Sequence, residues 1–198
     1  AFLFENGRLD ARNFVGSLRS ACKAGVPVAL LGTAFGFVHA LDGLKLENLR
    51  FSLPAGSRIM DTGGFKGRSR EVSRSGLNSA YRERFGISPN YIVNEYGMTE
   101  LSSQFYDAAL TGGNPDIKLG PHWVRSSVID PETGRELPAG QPGLLRHVDL
   151  ANLDSVAAIE TEDLGVLRDG GFVLLGREAG AEPRGCSLAV EDFPGGAP

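Results

Sequence analysis

Residues Asn94-Glu95-Tyr96-Gly97-Met98-Thr99-Glu100 decide how the rest of the chain is read. They follow the apolar pair Ile92–Val93, which reads as the end of a buried strand. They precede Leu101–Tyr106, which has enough apolar and helix-tolerant residues to open a helix. A tight turn leaving a strand would present a ring (Tyr96), a hydroxyl (Thr99) and a carboxylate (Glu100) close together. Gly97 lets the backbone come near whatever binds. A ring to stack on a base, a hydroxyl to donate to a phosphate and a carboxylate to hold Mg²⁺ suit a nucleotide. The same residue types also suit a plain loop, with Tyr96 buried and Thr99 capping a helix. The stretch alone leaves both readings open.

Working outward toward the N-terminus, the chain alternates helix and strand. Asp10 can cap a helix running to about Lys23, with Phe14, Leu18 and Cys22 on its buried face and Ala24-Gly25 ending it. Val26–Leu31 is nearly all apolar, as expected of a strand covered on both faces, with Pro27 near its start. Gly32-Thr33 then opens a second helix carrying Phe35, Val38 and Leu41. Ser57–Asp61 is another short strand and runs into the Gly-rich loop 62–68. Ser69 or Ser73 can cap the next helix, with Leu77, Ala80 and Tyr81 inward and Gly86 at its end. This alternation predicts an α/β fold with a parallel sheet. Ligands in such sheets bind beyond the carboxyl ends of strands, where Gly32-Thr33, Thr62-Gly63-Gly64 and Tyr96–Glu100 all fall.

Beyond Tyr106 the character changes. Leu110–Gly120 is turn-rich, and Asp130-Pro131-Glu132-Thr133-Gly134 is a strong turn signal after an expected strand at His122–Ile129. Further strands are expected at Leu144–Val148 and Ser155–Thr161. Leu164–Leu167 and Phe172–Leu175 flank Arg168-Asp169-Gly170-Gly171 and read as a hairpin. The expected organisation is therefore an α/β portion over 1–110, a mostly antiparallel β portion over 111–177, and a short tail over 178–198.

The 198 residues hold 20 basic and 24 acidic side chains, a formal charge of −4, with 41% apolar residues. That balance gives no reason to expect nucleic acid or an anionic membrane as partner. No apolar run approaches the roughly 18 residues of a membrane span. The two cysteines, Cys22 and Cys186, make neither a disulfide framework nor a metal site, so a reducing cytoplasm is the expected compartment. The opening Ala1-Phe2-Leu3-Phe4 reads as the inside of a strand, which suggests a fragment or processed form.

Several motifs together resemble a known family. Tyr-Gly-Met-Thr-Glu at 96–100, Thr-Glu-Asp-Leu-Gly at 161–165 and Gly-Arg at 176–177 have the order and character of the later core motifs of adenylate-forming enzymes. Asp-Thr-Gly-Gly-Phe-Lys-Gly-Arg at 61–68 and Arg-Gly-Cys-Ser-Leu at 184–188 narrow this to the LuxE-type acyl-protein synthetases, the fatty-acid–protein ligases of bacterial bioluminescence. The resemblance runs from about Leu9 to Phe193. It implies an acid–thiol ligase that activates a long-chain fatty acid with ATP and Mg²⁺. The acyl group would pass to an enzyme cysteine and then to a partner such as an acyl reductase.

The resemblance also implies roles for single residues. Tyr96, beside Gly97, would line the adenine pocket, with Gly63 and Gly64 bringing backbone to the base and acyl-adenylate. Thr99 would bond the α-phosphate and Glu100 would help hold Mg²⁺. Asp163 would accept from the ribose hydroxyls, Arg177 would contact ribose or phosphate, and Cys186 would accept the acyl group. Thiolate is a good nucleophile for that task, and Arg184 nearby favours it. Read without the resemblance, Asp163 could simply begin a turn, Arg177 could be a solvated strand end, and Cys186 could be a small buried residue. Lys66 and Arg68 could attract phosphate or be surface residues.

Two features depart from the superfamily pattern. No Ser/Thr/Gly-rich loop with a lysine for the β- and γ-phosphates precedes the 96–100 motif, and the large mobile lid with its catalytic lysine is missing. The second absence is what LuxE-type enzymes show. An acyl-CoA ligase similar to the phenylacetate–CoA ligases, or a nucleotide-binding fragment without catalysis, are the alternative readings. Cys22 and His39 are expected to be structural, and His122 and His147 show no metal spacing.

Overall fold

The computed structural model describes residues 4–5, 8–63 and 72–177. They form two compact units that divide between Asn94 and Glu95. The division therefore falls inside the 94–100 stretch, and the change of character beyond Tyr106 lies within the second unit.

In the first unit a short antiparallel pair, β1 (Phe4–Glu5) and β2 (Arg8–Leu9), precedes helix α1 (Ala11–Ala24). The Asp10 carboxylate accepts from the Asn13 backbone N–H at 2.9 Å, and Gly25 closes the helix in the left-handed conformation at φ 67°. Phe14, Leu18 and Ala21 are its buried residues. Cys22 packs only partly against the core and donates its thiol to the Ser52 carbonyl at 3.4 Å. Strand β3 (Ala29–Thr33) starts later than its apolar run, with Pro27 left outside the ladder. Helix α2 (Ala34–Leu46) follows directly, capped by the Thr33 hydroxyl on Gly36 N–H at 3.0 Å. Phe37 rather than Phe35 faces the core. Phe35 instead lies edge-on to the exposed His39, ring centres 4.4 Å apart.

Strand β4 (Arg58–Thr62) pairs parallel with β3, from Ala29↔Arg58 to Thr33↔Thr62. Helix α3 (Arg74–Phe85) is capped by Ser73, whose hydroxyl accepts from Gly76 N–H at 3.2 Å, and ends on Gly86. Strand β5 (Ile92–Tyr96) lies next to β4, giving the order β3–β4–β5. The expected parallel α/β arrangement is therefore present. Helices pack Leu18, Phe37, Leu41, Leu77, Tyr81 and Phe85 against Ile59 and Ile92. Full burial of such side chains contributes about 1.5–3 kcal/mol each.

A fully buried carboxylate interrupts this core. It belongs to Asp61, on β4. Its carboxylate accepts from Arg74 Nη1 at 2.7 and 2.6 Å, from the Tyr81 hydroxyl at 2.8 Å and from Asn94 Nδ2 at 2.7 Å. The ion pair with Arg74 joins the two ends of the segment between β4 and α3. Burial, and then the Asp61 charge, push the Tyr81 hydroxyl well above the usual tyrosine range, so it stays a donor.

The second unit is antiparallel. Its strands are the end of β5, β6 (Phe105–Asp107), β7 (Ile117–Leu119), β8 (Val124–Ile129), β9 (Pro142–Asp149), β10 (Ala158–Arg168) and β11 (Gly171–Arg177). Their order is β5–β6–β7–β11–β10–β9–β8. The helix expected from Leu101 does not form. Phe105 and Asp107 point inward and Tyr106 outward, a strand's period of two, and Tyr96↔Phe105 pair across to β5. Thr99 consequently caps nothing. The expected hairpin is present, with Arg168 opposite Gly171. Its two central residues, Asp169 (φ 48°) and Gly170 (φ 79°), both take positive φ, as a type I′ turn requires. Tyr96, Phe105, Val128, Leu145 and Phe172 form the core of this unit. Among the described residues, no helix is long and apolar enough to cross a membrane.

Candidate nucleotide site

The site is built from the register of two strands. Asp163 on β10 faces Arg177 on β11, beside a bulge between Leu164 and Gly165. Bulges re-aim side chains at such places. Arg177 Nε donates to Asp163 Oδ1 at 3.1 Å, and Arg177 Nη2 donates to Glu162 Oε2 at 3.0 Å. Tyr96, at the end of β5, donates its hydroxyl to Asp163 Oδ2 at 2.7 Å. Thr161 Oγ1 accepts from Asp163 N–H at 3.1 Å and donates to the Leu145 carbonyl at 2.9 Å. Asp163 therefore sits in a strand and begins no turn. Its side chain is 18% exposed and that of Arg177 33%, so one edge of the pair meets solvent.

The Tyr96 ring is not free on both faces. It packs on Phe105 and Phe172, ring centres 5.8 and 5.4 Å away. Burial, and then the Asp163 charge, raise its hydroxyl well above the ordinary tyrosine range. The proton stays on the tyrosine, and Asp163 accepts it as a hydrogen bond. A Cβ at Gly97 would meet the Glu95 carboxylate, which would have to move aside. Thr99 Oγ1 donates to Glu100 Oε2 at 3.1 Å on the exposed loop that follows.

The structure thus brings Tyr96, Asp163 and Arg177 into one hydrogen-bonded group, and places Thr99 and Glu100 side by side. Gly63, in the first unit, follows β4 with φ 73°, a conformation in which a side chain would be strained. Gly64, Lys66, Arg68, Ser69, Arg184 and Cys186 lie outside the described residues. Two clefts of about 180 and 430 Å³, one in each unit, are lined by other residues and contain none of the predicted site residues.

Sequence reasoning assigned no role to His147, which is fully buried against the rings of Tyr96, Phe105 and Phe172. Nδ1 lies 2.9 Å from Ser126 Oγ, on the directly opposite strand position. Nε2 has no hydrogen-bond partner among the described residues. Burial lowers its pKa from 6.5 to about 4, against a weaker opposing pull from Asp149. The unfolded imidazole takes up a proton near 6.5 and the folded one only near 4. The stabilisation is fully present above about pH 6.5 and is lost as pH falls toward 4. The gap corresponds to roughly 3 kcal/mol. Replacing His147 by Phe should flatten the decline of the urea midpoint between pH 6.5 and 4. An unchanged slope would show that other groups cause it.

Comparison with known proteins places the chain in a family. The family model described as "Acyl-protein synthetase, LuxE" matches residues 6–193. The chain belongs to the LuxE family. The long-chain-fatty-acid–luciferin-component ligase of Aliivibrio fischeri is 26% identical over 171 residues, 85% of this chain and 44% of that protein. The ligase of the same name from Vibrio harveyi is 23% identical over 172 residues, with the same coverage of 85% and 44%. This LuxE-family chain therefore spans less than half the length of the curated relatives it matches. Among solved structures it is similar to ATP-bound MatB from Rhodopseudomonas palustris (TM-score 0.59, 19% identity, 86% of this chain and 33% of that one). It is also similar to a long-chain-fatty-acid–CoA ligase from Archaeoglobus fulgidus (TM-score 0.57, 14% identity, 81% and 36%). The fold is that of the adenylate-forming enzymes.

Proposed function

We propose that this chain contributes the adenosine and α-phosphate end of the active site of a fatty-acid ligase. The observation that supports it best is the state of Asp163. An ionised carboxylate has about four acceptor sites. Tyr96 and Arg177 occupy one on each oxygen, and the 18% exposed carboxylate would accept from the hydroxyls of a ribose at the others. Tyr96 and Arg177 then orient the carboxylate as well as meeting the nucleotide. Arg177, bonded to Asp163 and Glu162, would contact phosphate or ribose oxygens from beside that carboxylate. Thr99 would donate to the α-phosphate.

Glu100 fits Mg²⁺. Among the described residues no group of three or more His, Cys, Asp or Glu side chains could cage a metal. Mg²⁺ commonly needs only one or two carboxylates, the remainder coming from phosphate oxygens and water. When bound, it would neutralise phosphate charge.

In the proposed reaction a fatty-acid carboxylate oxygen attacks the α-phosphorus of ATP. The α–β phosphoanhydride bond breaks, and pyrophosphate leaves. The Cys186 thiolate then attacks the acyl carbon, the acyl–phosphate bond breaks, and AMP leaves with that oxygen. The thiol proton goes to solvent, and a thioester remains for delivery to an acceptor such as an acyl reductase. Side chains here position and neutralise more than they transfer protons.

The test is acid-dependent ATP–pyrophosphate exchange in the full-length protein, together with labelling by radioactive long-chain acid. Cys186→Ser should retain exchange and lose all hydroxylamine-labile acyl label. Label retained by that variant would remove Cys186 as the acceptor. Absence of acid-dependent exchange in the unmodified protein would remove the whole reading.

A further inference from the structure

The loop that carries Thr99 and Glu100 has no regular secondary structure as far as Gln104. Its backbone is held instead by two side chains about fifty residues away, from the last residue of β9 and the turn that follows it. Asn152 Nδ2 donates to the Glu100 carbonyl at 2.8 Å and to the Val156 carbonyl at 3.1 Å. Asn152 Oδ1 accepts from Ser102 N–H at 2.8 Å. Asp149 accepts from Ser103 N–H at 2.8 Å, Ser103 Oγ at 2.9 Å and Ala151 N–H at 2.9 Å. Trp123 Nε1 donates to Ser103 Oγ at 2.9 Å.

The turn reverses the usual distribution of residues. Its polar Asp149 and Asn152 are buried, while Leu150 and Leu153 are 65% and 86% exposed. Apolar packing does not shape it. Its buried hydrogen-bonding groups converge on the backbone of residues 100–103. An asparagine with both amide hydrogens and its oxygen engaged has one orientation, and it imposes that orientation on what it holds.

We propose that Asn152, supported by Asp149, is a positioning residue that sets the Glu100 carboxylate for divalent-metal binding. Asn152 grips the Glu100 carbonyl, and Ser102 and Ser103 are pinned just beyond it. The inference rests on the reading of Glu100 as the metal carboxylate, and its test separates the two.

Binding of Mn²⁺–ATP to the full-length protein can be measured by the enhancement of water-proton relaxation above that of Mn²⁺–ATP free in solution. Glu100→Gln should weaken binding. Asn152→Asp keeps the acceptor for Ser102 and removes both donors. It should weaken binding about tenfold, as loss of an outer partner of a metal ligand does. The double variant should bind no worse than Glu100→Gln alone, because Asn152 acts through Glu100. If Asn152→Asp does not fold, Ser103→Ala provides the milder change and should weaken binding in the same direction and equally without additivity. If Glu100→Gln weakens binding while Asn152→Asp and Ser103→Ala do not, or if the losses add, the positioning role is wrong. If Glu100→Gln itself binds Mn²⁺–ATP unchanged, the metal assignment fails and takes this inference with it.

Discussion

Replacing Asp163 by Ala should lower acid-dependent ATP–pyrophosphate exchange in the full-length protein by about a hundredfold or more. Two losses combine. The acceptor proposed for the ribose disappears, and Tyr96 and Arg177 lose the carboxylate that fixes them. Misplacement of a positioning group by about 1 Å can alone cost around 10²-fold. If the carboxylate serves mainly to hold nucleotide, much of the loss should appear as a raised KM for ATP. Asp163→Asn retains one acceptor oxygen and should fall between. Exchange unchanged in Asp163→Ala would remove the nucleotide site proposed for the 163–177 pair.

Asp61→Ala should reduce the stability of the protein by about 3–5 kcal/mol, the range for breaking a buried charge pair from one side. The Arg74 guanidinium loses its carboxylate, and the Tyr81 hydroxyl loses its acceptor in the middle of the first unit's core. The Arg50–Glu83 pair in the same unit is the control. Its side chains are 62% and 49% exposed, and Glu83 keeps its pairing with Arg84 when Arg50 is removed, so Arg50→Ala should change stability by less than about 1 kcal/mol. Urea denaturation of both variants measures the contrast. Equal effects would mean that Asp61 is dispensable to the fold.

Much of the first unit was legible because its signals are local. Asp10, Thr33 and Ser73 each cap a helix through a backbone N–H three residues on, and Gly25 and Gly86 end helices in the left-handed conformation. The Asp169-Gly170 hairpin is equally local. Errors arose where distant partners decide. Leu101–Tyr106 has tolerable helix composition. Yet Ser102 and Ser103 direct their N–H groups to Asn152 and Asp149, and Phe105 is drawn into the second core. Tertiary contacts override propensity there.

The candidate site was legible only in part for the same reason. Motif order pointed to Tyr96, Asp163 and Arg177, and the fold brings them within hydrogen-bonding distance. Asn152, Asp149 and His147 carry no local signal of comparable strength. A Leu-Ala-Asn-Leu-Asp turn resembles many surface turns, since Asn and Asp side chains favour turns generally. Only its burial against the rings of Tyr96, Phe105 and Phe172, which come from distant strands, shows that His147 belongs to an apolar cluster.

Trp123 gives this arrangement a practical consequence. It is the single tryptophan of the 198 residues, its indole is 43% exposed, and its N–H is bound to Ser103. Indole emission depends on hydrogen bonding and hydration. The chain therefore carries its own optical probe at the base of the Glu100 loop. Changes in that loop can be followed by fluorescence without attaching a dye.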